Sequence, residues 1–171
     1  DLVMLFVLID SRHDIGQVDM DFLFELGEGQ IPFAIIFTKC DKQGPNVLSA
    51  QVEKDQEILL QQWEELPPMF CSSSAKKTGR EEILDFIESI LKKMEKEKKK
   101  ANQISMNKYA KPGQILFTGS SLMEQFPIYE FLQDFDLPYT IYNRGVGGFT
   151  TSEMMPVLKE CIYDLAPRYL F

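Results

Sequence analysis

A lysine and an aspartate that directly follow a buried strand have the clearest chemical potential in this chain. Residues 33–37 (FAIIF) form an apolar run with the length and β-branched content of a strand buried on both faces, and Thr38-Lys39-Cys40-Asp41 follows at once. Open α/β folds bind their ligands in such loops, at the carboxyl edge of a parallel sheet. There the Asp41 carboxylate can accept two parallel hydrogen bonds from the N1–H and exocyclic amine of guanine, while the Lys39 stem lies along the purine face. The alternative interpretation is a solvated turn.

The rest of the chain alternates apolar segments with amphipathic ones. Six strands are predicted, at residues 2–9, 33–37, 69–71, 114–118, 139–142 and 168–171. Five helices are predicted between them, at residues 20–26, 48–66, 83–91, 121–135 and 150–165, with Pro127 disturbing the fourth. This alternation predicts a parallel, doubly wound α/β architecture of the Rossmann-like or flavodoxin-like kind. Because each half would leave an apolar sheet edge open, we favour one six-stranded sheet over two separate half-domains.

Composition and charge narrow the class of protein. With 171 residues, 44% of them hydrophobic, the chain can bury a core as one domain or two small ones. The formal charge of −8 argues against nucleic-acid binding through a general positive field. Three cysteines without paired spacing suit a reducing cytoplasm, and a single histidine argues against a metal site. No apolar run approaches the roughly 20 residues of a membrane span, so we predict a soluble, cytoplasmic protein without a membrane contact.

A lysine-rich segment separates the two halves. Residues 92–100 (KKMEKEKKK) contain six lysines, two glutamates and one apolar residue. Such a segment cannot bury an apolar face, which predicts a solvated helix end or a linker. A contact with ribosomal RNA is the alternative. Residues 101–113 are polar and end in Lys-Pro-Gly, so we place the boundary between the halves there.

Four segments of the first half together resemble one protein family. They are the polar run after the first strand (DSRH, 10–13), IPFAIIFTKCDK (31–42), QQWEELPP (61–68) and SSAKKTGREEIL (73–84). In order and spacing, residues 2–91 resemble the carboxyl half of the EngB family, bacterial GTPases of ribosome assembly. The resemblance implies that guanine, as GTP or GDP, is the ligand, and the ribosome is a partner by this resemblance alone.

The same resemblance assigns roles to individual residues. It implies that Asp41 reads guanine, that Lys39 packs on the base and that Thr38 supports the loop. It also implies that the backbone of Ser73-Ser74-Ala75 touches the base carbonyl. A turn with a helix cap is the alternative for the two serines. Reading Ser74-Ala75-Lys76 as the motif instead leaves the wrong spacing to the following glycine.

The phosphate-binding part of such a site is missing from the sequence. No segment of the 171 residues matches G-x-x-x-x-G-K-[ST], so no Gly-rich loop cradles phosphate and no lysine of that motif serves it. The chain starts at Asp1 and stops at Phe171 within predicted core strands, and we therefore expect both ends to be truncated. We predict weak guanine-nucleotide binding through the base alone, without a metal.

The second half resembles a different family. Gly119-Ser120-Ser121-Leu122 follows one predicted strand, and residues 143–148 (NRGVGG) follow the next. This pattern over residues 114–171 resembles the SGNH/GDSL hydrolases, although the family's Gly-Asp-Ser is Gly-Ser-Ser here. The resemblance implies a small ester as substrate and Ser121 as nucleophile. It also implies that the backbone N–H groups of Ser121 and Gly148 are two of three oxyanion donors.

A catalytic serine is not the only interpretation of this half. Ser121 and Glu124 have the spacing of a capping box, so Ser121 could be a helix N-cap, and Thr150 and Glu153 have the same spacing. A serine nucleophile also needs a base within hydrogen-bond reach, and the only histidine, His13, lies in the other half. We therefore predict no measurable ester turnover.

These observations lead to one interpretation of the whole chain. Residues 1–100 resemble the carboxyl-terminal part of EngB GTPases, residues 101–113 form a linker, and residues 114–171 resemble the amino-terminal part of an SGNH hydrolase. The chain is then a fusion of two incomplete α/β units, with catalysis predicted for neither. Ester hydrolysis through Ser121 is the alternative function.

Overall fold

A computed structural model describes residues 2–171, and the chain divides into two compact units, one ending at Glu88 and one from Ser89 to Phe171. The strands of the described residues are β1 (Leu5–Asp10), β2 (Phe33–Thr38), β3 (Met69–Cys71), β4 (Ile115–Gly119), β5 (Ile141–Gly145) and β6 (Tyr169–Leu170). The helices are α1 (Gln17–Glu28), α2 (Pro45–Leu60), α3 (Arg80–Asn107), α4 (Ser121–Glu124), α5 (Ile128–Asp134), α6 (Thr151–Met154) and α7 (Leu158–Cys161). The predicted α/β class with six parallel strands is confirmed.

The first unit is built on a parallel sheet with the strand order β1-β2-β3. In the register of this sheet, Asp10 lies beside Thr38, and Phe37 lies beside Cys71. Parallel strands in register end at the same edge of a sheet. The loops that follow β1, β2 and β3 therefore meet at one carboxyl edge.

Both faces of this sheet are covered. Side chains alternate along β2, so Ile35 and Phe37 pack into one buried cluster while Ala34 and Ile36 pack into another on the opposite face. The first cluster also takes its buried side chains from α1 and α2, and Phe86 of α3 packs against the second. This two-sided burial is the reason that β2 is a continuous apolar run.

The second unit has a parallel sheet with the order β5-β4-β6. Gly119 at the end of β4 lies beside Gly145 at the end of β5, so the segments after these strands also share one edge. Leu116 of β4 and Val146 pack with Val157, Ile162 and other buried side chains into the core of this unit.

The prediction of a single six-stranded sheet is wrong. The strands of residues 2–171 form two three-stranded sheets, and each strand hydrogen-bonds only to strands of its own unit. The short β6 occupies one side of β4 and β5 occupies the other, so β4 is a central strand. Within the second half, β5 and β6 therefore satisfy both edges of β4.

Two helix predictions also need correction. The helix predicted at residues 83–91 is α3, which runs on to Asn107 and includes residues 101–107 of the predicted linker. Lysine and glutamate are good helix formers, so the charged run sustains the helix without burying an apolar face. The helix predicted at residues 150–165 is broken at a 3-10 turn, Met155–Val157, because Pro156 lacks the N–H that an α-helix needs. No helix in residues 2–171 is long and apolar enough to cross a membrane.

Candidate functional site

The loops after β2 and β3 are joined at the carboxyl edge of the first sheet by backbone hydrogen bonds. The Cys40 N–H donates to the Ser72 carbonyl at 3.1 Å, and the Ser72 N–H donates to the Phe37 carbonyl at 2.7 Å. The loop after β1 is attached in the same way, since the Ser11 N–H donates to the Thr38 carbonyl at 3.1 Å. These bonds hold the three loops in one surface.

The Asp41 carboxylate lies in the turn after β2 and contacts the loop after β3. Its side chain is only 8% exposed. The Ser73 hydroxyl donates to Asp41 Oδ1 at 2.6 Å, and Lys42 Nζ lies 3.0 Å from Oδ2. The hydrogen bond from Ser73, followed by that from Lys42, lowers the pKa of Asp41, so the group is ionised at neutral pH. A carboxylate has roughly four acceptor positions, so Asp41 can still accept hydrogen bonds from a ligand.

Ser73 is fixed by the turn that follows β3. It is buried, and its hydroxyl accepts a hydrogen bond from the Lys76 N–H at 3.1 Å. Ser73 also forms an isolated antiparallel bridge with Thr78. Gly79 closes the turn at φ +73°, where a Cβ would lie 2.0 Å from the Cys71 carbonyl oxygen, so only glycine fits there. Ser74 and Ala75 lie exposed on this turn.

Lys39 and Thr38 connect the ends of β1 and β2. Lys39 adopts a left-handed backbone conformation, with φ 59°, and its Nζ donates to Asp10 Oδ2 at 2.8 Å. The Thr38 hydroxyl donates to the Ile9 carbonyl at 3.1 Å. Because Nζ is held by Asp10, the Lys39 alkyl stem extends from the end of β2 towards the end of β1.

Asp10 is a residue that the sequence reasoning did not assign to the site. It accepts hydrogen bonds from the Arg12 guanidinium at 3.0 and 2.8 Å as well as from Lys39. The hydrogen bond from Arg12, followed by that from Lys39, holds the pKa of Asp10 far below its usual range. The position of Asp10 at the end of a predicted strand could have identified it, because the ends of neighbouring parallel strands lie side by side.

The second unit also has a cleft at the carboxyl edge of its sheet. Ser121 and Gly148 line the same cavity of about 420 Å³, together with Gly147 and side chains of α3 and α4. Lys99 of α3 projects into this region, where its Nζ donates to the Gly147 carbonyl at 2.9 Å and lies 3.2 Å from Glu124. The two predicted hydrolase residues therefore lie in one cleft.

Ser121 is not the helix N-cap that the capping-box spacing offered as an alternative to the nucleophile. Ser120 is the N-cap of α4, and its carbonyl accepts the N–H groups of Met123 and Glu124, so an N-cap role for Ser121 is wrong. Within residues 2–171 no side chain hydrogen-bonds to the exposed Ser121 hydroxyl. No group of three or more His, Cys, Asp or Glu that could hold a metal ion occurs in the same residues.

The other expected cap in this unit is confirmed. Thr150 is the N-cap of α6, and Glu153 accepts a hydrogen bond from the Thr150 N–H at 2.8 Å. Lys96 of α3 pairs with the same carboxylate. The hydrogen bond from Lys96, followed by that from the Thr150 backbone, lowers the pKa of Glu153 to about 2. Lys96 thus forms an ion pair within the second unit and is not a free linker side chain.

Comparison with known proteins finds relatives that match about half of the chain. The probable GTP-binding protein EngB of Porphyromonas gingivalis is 54% identical over 89 residues, which cover 52% of this chain and 44% of that protein. About half of the chain resembles EngB proteins. The EngB protein of Phocaeicola vulgatus is 55% identical over 86 residues, 50% of this chain and 43% of its own length. That of Flavobacterium psychrophilum is 40% identical over 90 residues, 52% of this chain and 44% of its length.

These matches have a limited extent. The chain spans less than half the length of the curated relatives it matches. The matched length agrees with the segment 2–91 on which the EngB resemblance was based. No family model matches the chain. The matches give no support to the resemblance of residues 114–171 to SGNH hydrolases, nor to a fusion of two families.

Proposed function

We propose that the first unit recognises the guanine base of a nucleotide at the carboxyl edge of its sheet. The observation that carries this proposal is the Asp41 carboxylate, which is almost fully buried, ionised and held at one oxygen by Ser73. Orienting a carboxylate before the ligand arrives reduces the entropy lost on binding. Asp41 accepts the N1–H and the exocyclic amine of guanine as a pair, one oxygen to each donor.

The neighbouring loops complete the base-recognition surface. The Lys39 stem, held by Asp10, supplies an apolar strip against the purine face. The exposed turn at Ser74 and Ala75 offers backbone N–H groups to the base carbonyl, in line with the EngB resemblance. The charged Lys42 side chain is 57% exposed and so can move away from Asp41 Oδ2 when the base binds.

Binding by this surface is weak and independent of phosphate. The sequence has no Gly-rich loop of the G-x-x-x-x-G-K-[ST] type, so all contacts are made to the base and its sugar. A base-edge contact of this kind supports an affinity of roughly millimolar order. Guanosine, GDP and GTP should therefore bind alike, with or without Mg²⁺. Contact with the ribosome stays a prediction from the resemblance.

The proposal is tested by titrating the purified chain with guanosine and following amide chemical shifts by NMR. We expect the shifts to centre on the loops after β2 and β3. Inosine lacks the exocyclic amine and should bind about tenfold more weakly, because a hydrogen bond to a charged group contributes about 1.5–3 kcal/mol. Adenosine, which lacks the N1–H, should not bind.

Variants make the test specific for Asp41. Asp41→Asn places an amide donor opposite the guanine amine and should abolish guanosine binding. The same variant should gain affinity for xanthosine, whose C2 carbonyl accepts that donor. Asp21→Asn is the matched control, because Asp21 is an acidic residue on the surface of α1. Submicromolar, Mg²⁺-dependent GTP binding, or guanosine binding that survives Asp41→Asn, would contradict the proposal.

A further inference from the structure

Two cysteines lie under the base-recognition surface. Cys40 belongs to the short 3-10 turn Cys40–Lys42 that carries Asp41, and Cys71 is the last residue of β3. Both pack into the buried cluster on the Phe37 side of the sheet, and Phe37 lies beside Cys71 in the register. The Cys40 thiol donates to the Phe37 carbonyl at 3.2 Å. The two sulfur atoms are thus held on one face at the junction of two adjacent strands.

Further contacts keep the two cysteines together. The Cys40 N–H donates to the carbonyl of Ser72, the residue next to Cys71, at 3.1 Å. Each cysteine is only partly buried, so a small oxidant can reach them, whereas the third cysteine, Cys161, is buried in the other unit.

We propose that Cys40 and Cys71 form a redox-modification site, in which a peroxide joins them as a disulfide and thereby displaces Asp41 from its base-reading position. The formation of the bond stands on the cysteine geometry alone. The effect on ligand binding rests on the proposed guanine recognition.

The chemistry balances with a peroxide as the oxidant. Burial raises the pKa of Cys71 to about 11, so Cys71 keeps its proton, and we place the first oxidation on Cys40 in the loop. The Cys40 sulfur takes one oxygen from hydrogen peroxide, which gives a sulfenic acid and one water. The Cys71 sulfur then attacks the Cys40 sulfur, and the hydroxyl leaves with the Cys71 proton as a second water. Two thiols and one peroxide thus give one disulfide and two waters.

The bond has a direct consequence for the ligand site. Once bonded to Cys71, the Cys40 sulfur has no proton to donate to the Phe37 carbonyl, so the hydrogen bond that holds the start of the turn is lost. Asp41 follows Cys40 in the same 3-10 turn, while its partner Ser73 is held separately by Lys76 and Thr78. The turn therefore shifts relative to Ser73, and guanine loses an oriented acceptor. By linkage, bound guanosine should in turn disfavour the disulfide.

The test uses the full chain, reduced and then exposed to hydrogen peroxide. We expect a mass loss of about 2 Da, the two thiol hydrogens. After trypsin without reductant, peptide 40–42 should be linked to peptide 55–76. Cys161→Ser should form the same link, whereas Cys40→Ser and Cys71→Ser should not. Saturating guanosine should slow the reaction.

Two readouts report the consequence for the site. The amide resonances of Asp41 and Ser73 should shift on oxidation even without a ligand, and guanosine affinity should fall about fivefold or more, within the usual range of coupling between sites. Peroxide should leave the affinity of Cys40→Ser at its own untreated value, because this variant lacks the sulfur that is oxidised first. A link to Cys161, no link at all, or a link that leaves the Asp41 resonance unmoved would overturn the inference. Failure of the reduced chain to bind guanosine would contradict the proposed function instead. The mass and the amide resonances would still decide whether the disulfide forms and moves Asp41.

Discussion

The carboxyl edges of the two sheets are built alike, but only the first holds its polar side chain in a fixed position. In each unit, parallel strands end side by side and the loops that follow carry a polar residue, Asp41 in the first and Ser121 in the second. Asp41 is held by a hydroxyl from the loop of a neighbouring strand at 2.6 Å. The Ser121 hydroxyl is exposed, and no side chain of residues 2–171 hydrogen-bonds to it.

The difference between the two edges shows what turns a position into a site. The end of a parallel strand gives a polar residue access to a ligand, but it does not orient the side chain or set its ionisation. At Asp41 a second loop does both, because Ser73 fixes one oxygen and lowers the pKa. At Ser121 no second loop does so: Lys99 lines the same cleft, but it is engaged with Glu124 and a backbone carbonyl.

The largest effect is expected from the glycine that shapes the first edge. Gly79→Ala puts a Cβ 2.0 Å from the Cys71 carbonyl oxygen at a residue with φ +73°. We expect a loss of about 3 kcal/mol in the free energy of unfolding, from backbone strain plus displacement of β3. Urea unfolding followed by circular dichroism measures it.

A glycine in the second unit provides the matched control. Gly113 has φ +76°, but nothing lies within 4 Å of a Cβ built on it. Gly113→Ala should therefore cost only the strain of the left-handed conformation, about 1 kcal/mol. Equal losses for the two variants would mean that the close approach to Cys71 does not hold the first edge together.

The next effect concerns the hydroxyl that orients Asp41. Ser73→Ala removes the donor to a carboxylate that is 8% exposed, and we expect the free energy of unfolding to fall by about 2 kcal/mol. Guanosine affinity should fall as well, because the carboxylate is no longer held in place. Ser74→Ala, at an exposed position in the same turn, is the control for stability.

The pH dependence of this loss has a definite sign. The folded-state pKa of Asp41 is lowered, so its ionised form stabilises the fold above the unfolded pKa, near 4, and this contribution is lost as the pH falls through the folded pKa. The stability difference between the wild type and Ser73→Ala should therefore narrow below about pH 4. A difference that stays constant down to pH 2 would show that Ser73 does not act through the Asp41 charge.

The sequence predicted the first edge better than the second for a physical reason. Strand periodicity and turn residues are local signals, so β2, β3 and the position of Asp41 could all be predicted from them. Ser73 was expected to contribute only its backbone. The hydrogen bond from its hydroxyl to Asp41 was missed, because a contact between residues 32 positions apart has no local signature in the sequence. The link between Lys39 and Asp10 was missed for the same reason.

The lysine-rich part of α3 shows the same limit. Residues 92–100 were expected to be a solvated helix end or a linker, and they are helical. Their composition does not reveal that Lys96 and Lys99 contact Glu153 and Glu124, because those carboxylates lie 57 and 25 residues further along the chain.

A smaller effect should distinguish a packed lysine from a solvated one. Lys99 is 27% exposed, and its Nζ contacts Glu124 and the Gly147 carbonyl. Lys99→Gln should lower the free energy of unfolding by about 0.5–1 kcal/mol, with less effect at high salt. Lys98→Gln, at an exposed position of the same helix, is the control. Identical unfolding curves for both variants would restore the solvated interpretation of this segment.

The smallest effect is expected from Ser121→Ala, which should not change ester hydrolysis. This result would contrast with the effect of changes at Asp41. General-base assistance contributes roughly 10²–10⁴-fold to such reactions, and no side chain of residues 2–171 hydrogen-bonds to the Ser121 hydroxyl. The chain should therefore hydrolyse p-nitrophenyl acetate no faster than its Ser121→Ala variant, even though Ser121 and Gly148 line one cleft. Fluorophosphonate labelling should be equally unaffected by the substitution. Turnover that disappears in both Ser121→Ala and His13→Ala would reveal an assembled serine–histidine pair, and the second edge would then be a site in the same sense as the first.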